Sequence, residues 1–129
     1  MDLIVDNIKW VMIVSGLLTF TLLRGIIAPV AQQKTMFGEA LEGPVADVIV
    51  RNWAFLICLY AGLLIYGAFD PTHRSLILLL SASGKLAFIL LVLAQGSRFL
   101  KAQAGLAVIF DGIMVVLFLL YLAATGFQI

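Results

Sequence analysis

Cysteine and histidine each occur once, proline three times, and charged residues fill only 12% of 129 positions. A single cysteine leaves no disulfide framework and no thiolate metal cluster within the chain. A single histidine leaves no bis-histidine haem and no multi-histidine metal site. Eight Lys and Arg against seven Asp and Glu give a formal charge of +1, which supplies no basic field for DNA or RNA. What is abundant is apolar: 64% of residues are hydrophobic and the mean hydropathy is +1.16. Soluble domains carry about 45–50% apolar and about 25% charged residues. A soluble chain this short would leave much of that surface wet, because small domains bury the smallest fraction of it. The composition reads as an integral membrane protein, not as a soluble, disordered or nucleic-acid-binding chain.

A helix crossing the hydrocarbon core needs about 20 mostly apolar residues. Four stretches qualify, at roughly 8–30, 48–69, 75–96 and 104–126. They do not alternate as barrel strands do. The first is too long for a signal-peptide core and lacks a small-residue cleavage site, so it is expected to stay in the mature protein. The expectation is an all-α fold: one transmembrane domain over 1–129, an antiparallel four-helix bundle with short loops. Pro29 is expected to stop the first helix, and Asp70-Pro71-Thr72-His73 to make a tight turn. Residues 97–103 read as a short basic loop. Residues 32–47 read either as a plain loop or as a short amphipathic helix lying in the interface.

Orientation is read from where Lys and Arg fall. One end holds Lys34, Arg98 and Lys101, with Arg51 near the boundary, and the other holds Lys9 and Arg74. Loops 1 and 3 are therefore expected in the cytoplasm, with both termini outside. Trp10 and Trp53 suit the two aromatic belts.

Four charges lie inside the spans: Arg24, Arg51, Lys85 and Asp111. A charge at the bilayer centre costs on the order of 2.5–3.5 kcal/mol, so it usually faces the bundle and finds a partner. At about 1.5 Å per residue, Arg24 and Asp111 both lie roughly 10 Å in from the same side, and Lys85 is nearest the midplane. Small and polar residues accompany them: Thr21 near Arg24, Asn52 beside Arg51, and Ser81, Ser83 and Gly84 around Lys85. The candidate ligand-binding set is Arg24, Arg51, Asn52, Ser81, Lys85 and Asp111. Two bland alternatives stand beside it. Arg51 is shallow enough to snorkel to head groups, and Asp111 could pair with Lys85 or Arg24 only to fix helix register. Three cations against one carboxylate also leave an excess. Either Glu39, Glu42 or Asp47 folds down from loop 1, or an anionic ligand completes the site. Ala54, Cys58 and Gly62 repeat at a spacing that permits close helix approach, and Cys58 reads as inert packing. His73 reads as a solvated turn residue.

No catalytic constellation emerges: there is no Gly-rich phosphate loop, no carboxylate pair within a helix turn and no serine with a histidine base. A buried lysine acting as a base is the one route to an enzyme. No resident cofactor or metal is expected. The stretch Arg51-Asn52-Trp53, the Asp70–Arg74 turn, Ser83-Gly84-Lys85 followed by Phe88, and Asp111 in an apolar fourth helix resemble small bacterial four-helix membrane proteins of the DoxX-like kind. That resemblance covers helices 2 to 4. It implies a four-helix fold in the bacterial inner membrane and assigns a role to no residue. Two classes of function are compatible with the residues. One is ligand handling by a transporter, channel or binder of a lipid-like molecule or small anion. The other is a non-catalytic accessory subunit of a larger membrane complex. The expected partners are membrane lipids and a second copy or a larger complex, with no nucleic acid.

Overall fold

The computed structural model describes residues 2–127, and every regular element among them is helical. Helix α1 (Asp2–Thr19) runs through a tighter turn at Phe20–Leu23 into the single-turn α2 (Arg24–Ile27). Then come α3 (Pro29–Phe37), α4 (Pro44–Phe69), α5 (Pro71–Ala94) and α6 (Gln103–Ala124). Four segments are long and apolar enough to cross a membrane: Asp2–Ile27, Pro44–Phe69, Pro71–Ala94 and Gln103–Ala124. They pack in a ring, α1 on α4, α4 on α5, α5 on α6 and α6 on α1.

The tightened turn has a local cause. Thr19 Oγ1 donates to Ser15 O at 2.7 Å and Thr21 Oγ1 to Leu18 O at 2.6 Å. Such hydroxyl bonds compete with the backbone ladder and bend helices. Pro29 stops the first helix as expected. The chain breaks one residue earlier, at Ala28 (φ −132°, ψ 74°), and Pro29 opens a new helix. The residue before proline is pushed out of the helical region, while proline's fixed φ suits the first helical position.

The 32–47 segment therefore begins inside a helix. Its buried face is Pro29, Gln32, Gln33 and Met36, the spacing of one helical stripe. Gly38 ends α3 with a left-handed φ of 80°, a conformation glycine adopts without a Cβ penalty. Gln33 fastens the connection beyond Gly38: its Nε2 donates to Leu41 O at 3.1 Å, and its Oε1 accepts the Leu41 N–H at 2.9 Å.

Asp70 alone separates α4 from α5. Its Oδ1 accepts the Thr72 N–H at 3.0 Å, capping α5, and Pro71 occupies the first turn where no N–H is needed. Arg74 reaches back to the orphan carbonyls of α4, donating to Gly67 O at 3.0 Å and Ala68 O at 2.8 Å. The Tyr66 hydroxyl, His73 and the Thr72 N–H hold the Asp70 carboxyl down from 3.8 to about 2. A carboxyl depressed by folding stabilises the fold above its unfolded value and loses that contribution as pH falls through its folded value. The Asp70 contribution should therefore be intact above pH 4 and disappear between about pH 4 and 2. Thermal unfolding in detergent across that window should fall more steeply for the wild type than for Asp70→Asn, which keeps the cap but has no charge to lose. Equal slopes would contradict the assignment.

The core is divided. Ile8, Met12, Leu64, Leu78, Phe118 and Leu122 form a dense cluster toward the Asp70 turn. A smaller one, Met36, Val92 and Ala104 with Phe37, Phe88 and Phe99 against it, lies at the other end. There Phe37 packs edge-on against Phe99 (5.3 Å between ring centres) and tilts toward Trp53 (6.4 Å). Arg98 donates to Glu39 across the two connections at 2.6 Å.

Candidate functional site

Between these clusters lies a cavity of about 530 Å3. Trp53, Leu56, Ile57, Tyr60 and Leu64 of α4 line it together with Ser81, Gly84, Lys85, Phe88 and Leu91 of α5. α1 and the tightened turn contribute Leu18, Thr19, Thr21 and Leu22, and α6 closes the far side with Leu106, Phe110 and Asp111. The wall is mainly apolar. Leu18, Leu56, Tyr60, Leu91 and Leu106 belong to it and are exposed, so the cavity is open at the side of the molecule.

Its polar end is the Lys85–Asp111 pair. Lys85 Nζ donates to Asp111 Oδ1 at 2.8 Å, with the side chains only 10% and 19% exposed. The pair ties α5 to α6. One turn before Lys85 stands Ser81, 3% exposed, whose Oγ has no hydrogen-bond partner. Its neighbour Ser83 does what helical serines ordinarily do, donating to Leu79 O at 2.8 Å. A buried hydroxyl without a partner costs about 1–3 kcal/mol, so Ser81 is an exception that needs a cause. Ser15 is the other such hydroxyl among the described residues. It lies in the core beside Gly16, where α1 meets Ala61 and Ile65 of α4, and does not line the cavity.

Of the six residues singled out by sequence, Ser81, Lys85 and Asp111 line the cavity and Arg24, Arg51 and Asn52 do not. Arg24 is exposed and donates to Thr35 Oγ1 at 3.3 Å, so its equal depth with Asp111 brings the two into no contact. Arg51 pairs with Asp47 on its own helix, Nε to Oδ1 at 2.9 Å, and its Nη1 donates to Ile26 O. That carbonyl loses its helical partner at the Ala28 break, and the guanidinium replaces it. Asn52 is exposed on α4. The expected cation excess thus shrinks to Arg24, exposed and bonded to Thr35: Asp47 takes Arg51, and Lys85 meets Asp111 alone.

Sequence reasoning missed the aromatic wall. Trp53 and Phe88 line the cavity, and Phe37 packs against Trp53 at its edge. In the sequence Trp53 stands as an interfacial residue and, with Phe88, as part of the DoxX-like resemblance, not as a wall of a cavity. Phe37 joins it because α3 begins at Pro29, which no hydropathy pattern signals. Among the described residues no group of three His, Cys, Asp or Glu could hold a metal ion. No protein-family model, curated protein or solved structure matches the chain.

Proposed function

We propose that this is a multi-pass membrane protein, an antiparallel bundle of four spanning helices, that takes a lipid-like amphiphile into the cavity lined by α4 and α5. Membrane insertion is supported by the outward faces. Leu17, Ile27, Leu59, Leu90, Ile109 and Val116 all expose more than half of their area. Soluble monomers rarely expose apolar patches beyond a few hundred Å2, whereas hydrocarbon accepts such a surface without cost. The antiparallel arrangement is supported at both ends. Lys9 of α1 sits 4.5 Å from the Phe69 ring at the end of α4, and Arg98 meets Glu39 at the opposite end. Lys34, Arg51, Arg98 and Lys101 gather at that opposite end, which favours a cytoplasmic location for it. The DoxX-like resemblance favours a bacterial inner membrane.

One observation carries the ligand reading: Ser81, whose buried hydroxyl has no partner, stands with the Lys85–Asp111 ion pair in the wall of a mainly apolar cavity. Ligand sites are concave and mostly apolar, about 300–1,000 Å3, with a few placed polar groups. This cavity has that character, and its side opening suits entry from the bilayer. In the cavity wall the small-anion alternative lacks the cationic surplus that motivated it.

Gly84 supplies the test. A Cβ built on it meets nothing within 4 Å, and Gly84 lines the cavity. Gly84→Leu should bring its bulk to the cavity wall at a position where the added Cβ meets no neighbour. It should also raise helix propensity by up to about 1 kcal/mol. The expected result is a protein that melts at or above the wild-type temperature in detergent. Native mass spectrometry should then show its retained lipid, or added 1-oleoylglycerol, largely lost. A stable Gly84→Leu protein with unchanged occupancy would remove the cavity from consideration and leave the accessory-subunit class.

A further inference from the structure

We infer that the cavity selects an uncharged amphiphile whose polar end carries hydroxyl or carbonyl oxygen, seated between Ser81 and the Lys85–Asp111 pair. This rests on the cavity reading proposed above and adds the chemistry of the head group.

Charge is the first argument. Lys85 and Asp111 neutralise one another at 2.8 Å. The other cations that could have joined them, Arg24 and Arg51, stand off the lining and are bonded elsewhere. A phosphate or carboxylate entering here would surrender its hydration and meet Asp111 as closely as Lys85. Burying an ion without net counter-charge is strongly unfavourable. A quaternary ammonium fares no better, since it would meet Lys85 and has no hydrogen to give.

Hydrogen-bonding capacity is the second. The Ser81 hydroxyl can donate and accept, and in the described structure does neither. Lys85 has three N–H groups and gives one to Asp111 Oδ1; no described donor serves Asp111 Oδ2. These unused groups stand together, because Ser81 and Lys85 are one helical turn apart on α5. An oxygen acceptor would take a free Lys85 N–H, and the Ser81 hydroxyl once its side chain turns toward the cavity, while a hydroxyl on the same head group would serve Asp111. A glycerol or fatty-alcohol head meets all of these demands and carries no charge. Leu18, Leu22, Leu56, Phe88 and Leu91 offer apolar contact and would take the chain, although Thr19, Thr21, Trp53, Tyr60 and Gln103 also line the cavity.

The test compares two lipids that differ by one phosphate: 1-acylglycerol and the corresponding lysophosphatidic acid, each with a brominated acyl chain. Trp53 lines the cavity, and Trp10, the other tryptophan, is exposed on α1. In the full-length Trp10→Phe protein in detergent, quenching of Trp53 therefore reports occupancy. The neutral lipid is expected to quench at about tenfold lower concentration than the anionic one, reflecting the burial penalty of the ion. Ser81→Ala should weaken the neutral lipid by about two- to tenfold, the worth of one hydrogen bond. The same change should leave the melting temperature unchanged or higher. Equal or reversed preference, with both lipids displaced by Gly84→Leu, would overturn the head-group assignment and leave the cavity reading standing. Quenching by neither lipid, or quenching unaffected by Gly84→Leu, would overturn both.

Discussion

Asp111→Asn is expected to destabilise the protein by about 3–5 kcal/mol, and the double replacement Lys85→Met with Asp111→Leu by far less. The difference comes from what each change leaves behind. Lys85 is 10% exposed and donates to Asp111 at 2.8 Å. Without the carboxylate, the ammonium stays in an apolar wall with nothing to offset its lost hydration. An apolar pair of similar volume removes both charges at once and is often neutral or stabilising. Lys85→Met alone should resemble Asp111→Asn. The residual exposure of Asp111 favours the lower end of the range. Thermal and chaotrope unfolding in detergent measure the order. Singles costing under about 1 kcal/mol, or a double as poor as the two singles summed, would mean that the pair does not bind α5 to α6. Lipid occupancy separates structure from function: a stable double variant that no longer retains 1-oleoylglycerol assigns the pair to the ligand.

That pair was legible in the sequence, because two opposite charges in apolar runs have few ways to be satisfied. The four long helices were equally legible, since each carries enough uninterrupted apolar residues to show in the composition. The peripheral arginines were not. Depth along the chain treats a span as one straight rod, and this one tightens at Phe20–Leu23 and breaks at Ala28. An arginine side chain is also long enough to cap a carbonyl on another element, as Arg51 does at Ile26. Counting cations against carboxylates therefore misjudged where charge was needed. Buried Gln32 and Gln33 were invisible for a related reason. Their burial depends on α3 folding back over the end of the bundle, a tertiary event that local pattern does not encode. The unpartnered state of Ser81 is of the same kind: sequence placed it one turn from Lys85, and only packing leaves its hydroxyl without a partner.

The connection that completes this end of the bundle gives the second large effect. Gly105, near the start of α6, lies so close to the preceding connection that an added Cβ would stand 1.9 Å from Leu100 O and 3.0 Å from Leu100 Cα. Both neighbours are backbone, so no side chain can rotate away to make room. Gly105→Ala must push the 97–102 segment off α6, against bonds such as Gly105 N–H to Ala102 O at 3.0 Å. Overpacking of this kind typically costs about 1–3 kcal/mol, and the backbone contact places Gly105→Ala at the upper end. Gly112, on the same helix, is the control: a Cβ there meets nothing within 4 Å. Gly112→Ala should be neutral or stabilising by up to about 1 kcal/mol. The contrast reaches the cavity too. The displaced segment carries Phe99, which packs on Phe37, and Phe37 in turn packs on Trp53. Gly105→Ala should therefore shift Trp53 emission as well as lower the melting temperature, and Gly112→Ala should do neither. If the two alanine variants melt alike, the close approach of the connection to α6 is not part of the folded state.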